Sequence, residues 1–141
     1  MTPERLIETL GLLPHPEGGY YRETYRHDPA DGTRGAGTAI YFLLLKGKPS
    51  RWHRVKDADE LWHYYAGAPL KLSISEAGHS QKELILGPDL SKAEAPQLIV
   101  PPHAWQAAES LGSYTLVGCT VSPAFEFSGF EMAPENWAPE N

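Results

Sequence analysis

GKPSRWHRVKDADELWHYYAG, residues 47–67, sets two histidines and an acid among residues that favour short strands. Read with a period of two, Arg51, His53 and Val55 share one face. Beyond the "KDAD" turn, Glu60, Trp62 and Tyr64 share one face of the next strand, and His63 points the other way. If both faces look into one interior, His53 and Glu60 meet there. The stretch has the residue types of a metal centre. At the second position after His53, where a further ligand would stand, there is Val55, which cannot coordinate.

The flanking segments have the same character. "TAIYFLLL", from Thr38, is apolar on both faces and is expected to be buried on both. "LKLSIS", Leu70 to Ser75, alternates, with Leu70, Leu72 and Ile74 on one side. "YYRETYR", "KELIL", "QLIV", "WQAA" and "YTLVGCTV" supply further short strands, separated in places by turn residues such as Gly78 and Gly87. One helix is predicted at the start: Thr2 can cap it, Pro3 suits its first turn and Gly11 can end it. "LPHPEGGYY" then breaks the chain. About ten strands after one short N-terminal helix predict a single all-β domain, sandwich or barrel, over residues 1–141. Phe125, Phe127 and Phe130 in the tail are expected to cover a barrel mouth or the underside of a sheet.

Composition narrows the function classes. With 141 residues the chain can bury a core without staples. The single Cys119 excludes an internal disulfide and fits a reducing compartment. The apolar run Ala39–Leu45 is far too short to span a bilayer. The start has no charged lead into an apolar core, so the expected location is cytoplasmic. A net charge of −6 with scattered basic residues argues against nucleic acid and anionic membranes as partners.

Gly47, His53, Glu60 and Gly67 fall at the spacings of the first cupin motif, with Val55 in place of its second histidine. "PPHAWQ" resembles the second motif, with His103 where Gly is usual and Gln106 where a ligand histidine is usual. From "LGLLPHPEGGYYRETYR" to "VGCTVSPAFEF", the chain resembles the cupin-5 family, also called domain of unknown function 985. That resemblance implies a double-stranded β-helix, or RmlC-like jelly roll, usually a homodimer. Its relatives include sugar-nucleotide epimerases that need no metal.

Carried over by position, the cupin ligand set becomes His53, Val55, Glu60 and Gln106. Only two good ligands remain, fewer than a catalytic metal uses, so no metal is expected. A divalent transition metal at His53, Glu60 and His103 is the alternative.

The expected catalytic groups are His53, Glu60 and Tyr64, as base, orienter and acid. Arg51, Trp62, His103, Trp105 and Gln106 are expected to contact the ligand. "PEGGYYRETY" is either an exposed or dimer-swapped strand, or one that brings Arg22 or Glu23 to the pocket rim. Three functions follow: a metal-independent isomerase or epimerase of a sugar-like or keto substrate, a non-catalytic binding module for a small polar molecule, or a metal-dependent cupin oxygenase or isomerase. A homodimer is expected through the edge segment Gly19–Tyr25.

Overall fold

Helix α1 (Pro3–Leu10) begins where the Thr2 hydroxyl accepts a hydrogen bond from the Arg5 amide, and it ends at Gly11, whose φ of 67° turns the chain back. In this computed structural model, which describes residues 1–140, eleven strands follow. They are β1 (Leu13–Pro14), β2 (Tyr20–Arg26), β3 (Thr38–Leu45), β4 (His53–Val55), β5 (Asp59–Gly67), β6 (Leu70–Ser75), β7 (Lys82–Leu86), β8 (Gln97–Val100), β9 (Trp105–Ser110), β10 (Tyr114–Ser122) and β11 (Phe130–Met132). They build a six-stranded sheet in the order β1-β2-β3-β10-β5-β8 and a five-stranded sheet in the order β11-β4-β9-β6-β7. Every ladder in both is antiparallel.

β3 is buried on both faces, as its unbroken apolar run predicts. Phe42 and Leu44 point between the sheets, and Leu43 packs on the other side with Leu6 and Leu12, the latter just past the end of α1. The space between the sheets holds Trp62, Leu70, Leu72, Ile74, Leu86, Val100 and Val117. Burial of each of these aliphatic side chains contributes about 1.5–3 kcal/mol.

The inward-facing residues change in character along each strand, and that change makes the site. On β3, Phe42 and Leu44 belong to the core, whereas Thr38 and Ile40 line a cavity. On β5, Trp62 belongs to the core and Glu60 to the cavity. On β10, Val117 is core and Val121 cavity. One end of the barrel is therefore filled by hydrophobic side chains and the other is open. No helix among the described residues is long and apolar enough to cross a membrane.

Candidate functional site

The open end is a cavity of about 350 Å3. Its floor comes from both sheets and from the loop between β1 and β2. β4 contributes His53 and Val55, β5 contributes Glu60, β10 contributes Cys119, and the loop contributes His15 and Glu17. Tyr21, Ile40 and Val121 form its walls, and Phe125, Phe127 and Phe130 close over it.

The loop is shaped by its two glycines. Gly18 and Gly19 have φ of 103° and 77°. A side chain at Gly19 would place its Cβ 2.8 Å from the Leu43 carbonyl oxygen and 2.9 Å from Leu44 Cδ2, so only glycine fits there. The Arg51 amide donates to the Glu17 carbonyl at 2.7 Å and ties the loop to the start of β4. The Glu17 carboxylate is thereby aimed inward, with the residue only 6% exposed.

His53 is buried between two oxygens. Nδ1 lies 2.7 Å from the Arg51 carbonyl, which can only accept, so Nδ1 carries a proton. Nε2 lies 2.6 Å from Glu17 Oε2. Burial pulls the His53 pKa down, but the Glu17 carboxylate, with Glu60 and the Arg51 carbonyl behind it, outweighs burial and raises it to about 9. The imidazole is therefore charged at neutral pH. Glu17 Oε2 and the His53 ring thus form a buried ion pair facing the cavity.

Glu60 sits at the end of a chain of donors. Trp62 Nε1 donates to Gln106 Oε1 at 2.9 Å, and Gln106 Nε2 donates to Glu60 Oε1 at 2.8 Å. Burial and the Glu17 charge raise the Glu60 pKa, while His53, Gln106 and Cys119 oppose them, and the balance lies at about 7. His15 Nδ1 accepts the Glu17 amide at 3.1 Å, and burial lowers its pKa despite Glu17, so it is neutral at pH 7. The Cys119 thiol is pushed up by burial and stays protonated.

The structure brings His53 and Glu60 to one cavity, but the direct partner of His53 is Glu17, and that of Glu60 is Gln106. Gln106 and Trp62 act behind Glu60 rather than on the cavity surface. Four expected site residues lie elsewhere. Tyr64 has the inward phase of β5 but stands four residues beyond Glu60, about 13 Å along the strand, on the far side of Trp62. Its hydroxyl donates to the Gly67 carbonyl. Arg51 precedes β4, and its guanidinium donates to the Ala133 carbonyl at a separate groove beside Trp52 and Trp137. Trp105 is next to the inward Gln106 and so points outward, packed under Arg54 and against Trp137. His103 is exposed in a turn, at φ 70°, and is absent from the cavity wall. Arg22 and Glu23 both border the cavity, Glu23 from the face of β2 shared with Ile40 and Arg22 from the opposite face, at the mouth.

The donor set does not suit a cupin metal. Both ring nitrogens of His53 are engaged, Val55 offers no donor, the Gln106 amide is used twice and His103 is outside. Among the described residues no three His, Cys, Asp or Glu side chains converge as a metal-binding group.

Sequence reasoning missed Glu17 and His15 as floor residues. The only local signal was an acid followed by Gly18-Gly19, a pair that marks close backbone approach.

Two packed antiparallel sheets enclosing a cavity at one end define a double-stranded β-helix of the cupin class. The chain belongs to the Cupin superfamily (DUF985) family, whose model matches residues 4–133. Protein SO0799 from Shewanella oneidensis superposes with a TM-score of 0.88 at 37% identity, over 94% of this chain and 85% of that one. The uncharacterized protein YML079W of Saccharomyces cerevisiae is 26% identical, over 88% of this chain and 71% of its own. A dTDP sugar isomerase from Desulfovibrio desulfuricans shares the fold, with a TM-score of 0.64 at 17% identity over 92% of this chain and 85% of that one.

Proposed function

We propose that this chain binds a small carbonyl compound, sugar-like or keto, in the open end of the barrel and isomerises it by proton transfer without a metal. One observation carries the reading. A buried carboxyl, Glu60, faces the same cavity as a charged pair, His53 and Glu17. The fold likeness to a dTDP sugar isomerase fits this reading and adds nothing about residues.

The chemistry follows from the charges. Glu60 exchanges its proton near pH 7, which suits a general base. Its carboxylate takes a proton from the carbon beside the ligand's carbonyl, and the electron pair moves onto the carbonyl oxygen. The His53 imidazolium, kept charged by Glu17, supplies the positive charge that offsets the enolate. The hydroxyl proton of the carbon that lost its hydrogen passes to the former carbonyl oxygen, and Glu60 returns its proton to the former carbonyl carbon, so nothing is gained or lost overall. The Trp62–Gln106 chain holds Glu60 in place. Activity is bell-shaped in pH, rising through about 7 as Glu60 ionises and falling through about 9 as His53 loses its charge.

The test is deuterium wash-in. A panel of aldoses, ketoses and 2-keto acids is incubated with the protein in D2O, and the C–H beside the carbonyl is followed by proton NMR. The protein exchanges that hydrogen in at least one compound, and Glu60→Gln slows exchange by about 100-fold or more. Compounds that bind in the cavity without exchange make the chain a binding module instead.

The same reading includes a homodimer. β1 pairs with β2 only at Tyr20 and Tyr21, so Arg22–Arg26 presents an open edge among the described residues.

A further inference from the structure

The mouth of the cavity has a different chemistry from its floor. Leu13 is 67% exposed and Phe127 56% exposed, and both line the cavity. Phe125, Phe127 and Phe130 form an edge-to-face cluster with centroids 4.9–5.9 Å apart. Phe130 also stacks on His53 at 5.5 Å with an interplanar angle of 29°. Large apolar side chains left in water at a cavity mouth offer a surface for a flat apolar group and little for a hydroxylated ring.

Charge is distributed just as unevenly. Arg22 is the one arginine or lysine on the cavity wall among the described residues. Arg26, Arg34 and Arg54 each hold a carboxylate, whereas the bond of Arg22 is to the Leu10 carbonyl, at 3.2 Å. Its remaining donors are open to a ligand. Glu23 beside it does not neutralise it, because both Glu23 oxygens accept from Arg26 at 2.9 Å. On the floor, Glu17 balances His53, and Glu60 adds negative charge as it ionises. An anionic group is therefore turned away from the floor and drawn to Arg22.

We propose that the ligand is a planar aromatic anion. Its ring system lies against the phenylalanine cluster, its acidic group pairs with Arg22 at the mouth, and its other end reaches the floor. This narrows the substrate class of the proposed isomerisation and rests on the same cavity, though not on the proton transfer.

The test uses probes that cannot isomerise. 2-Naphthoate, its neutral isostere 2-naphthamide and methyl α-glucopyranoside are titrated into 15N-labelled protein. Binding is read from the amides of Thr38, Cys119 and Phe130. 2-Naphthoate binds at least ten times more tightly than the glucoside. Arg22→Gln weakens 2-naphthoate about fivefold to tenfold and leaves 2-naphthamide unchanged. Phe127→Ala, a change at an exposed side chain, weakens both naphthalenes. A glucoside that binds as well as 2-naphthoate overturns the proposal, as does an Arg22→Gln protein with unaltered 2-naphthoate affinity. If naphthoate binds as expected but no carbonyl compound exchanges hydrogen, only the isomerase reading falls. If exchange occurs on an aliphatic sugar and naphthoate does not bind, only the aromatic anion falls.

Discussion

Glu17→Gln isolates the interaction on which the site depends. The substitution keeps the shape of the side chain and removes its charge. His53 then loses the neighbour that chiefly holds its pKa at about 9, and burial, which acts the other way, is left opposed only by Glu60 and the Arg51 carbonyl. The imidazole pKa falls by at least about 2, to its ordinary 6.5 or below. The gap between 6.5 and about 9 corresponds to about 3 kcal/mol. The folded value lies above the unfolded one, so this stability is fully present below pH 6.5 and is lost as pH rises through about 9. Glu60 has the same sign, with its contribution present below 4.5 and lost by about 7. NMR titration of the His53 ring reads the pKa directly. Urea unfolding between pH 6.5 and 9 reads the stability, which declines by about 3 kcal/mol from His53 in the natural chain and stays nearly level in the variant. Glu60→Gln lowers the His53 pKa too, but less, because Glu60 contributes less than Glu17. A Glu17→Gln protein whose His53 still titrates near 9 would falsify the assignment of Glu17 as its partner.

Gln106→Leu leaves the Trp62 indole N–H and a Glu60 oxygen without their buried partner, at a cost of about 2–5 kcal/mol by urea unfolding; a loss under about 0.5 kcal/mol would mean that the relay is not formed. Val55→His with Gln106→His adds two imidazoles near His53 and Glu60, since His53 and Gln106 are paired across β4 and β9 and Val55 and Glu60 face the same cavity. That protein retains about one divalent transition metal per chain after dialysis, by elemental analysis, and the natural chain does not; stoichiometric metal in the natural chain refutes the donor-set argument. Light scattering gives twice the 15.6 kDa chain mass at micromolar concentration, and a monomer mass excludes pairing through the open edge of β2.

Much of the barrel was legible without coordinates because strand alternation and turn residues are local properties. The two-sided burial of β3, the capped helix ending at Gly11 and the inward positions of His53 and Glu60 all follow from residues within one or two turns of chain. The corrections have different causes, and the first is that a period of two states which face a side chain takes, not how deep in the barrel it lies. Tyr64 has the same phase as Glu60 yet ends beyond the Trp62 plug, and Trp105 loses the cavity to Gln106 because neighbours on a strand cannot both face inward. Arg51 lies before β4 begins, where alternation does not apply.

The sequence by itself determined the all-β class, the helix and the two motif residues of the floor. Only the tertiary structure decided that Glu17 holds His53, a pairing across 36 positions that no periodicity encodes. It depends on the Gly18-Gly19 turn lying flat on β3 and on the Arg51 amide fixing the loop, and such a juxtaposition exists only once both sheets have closed.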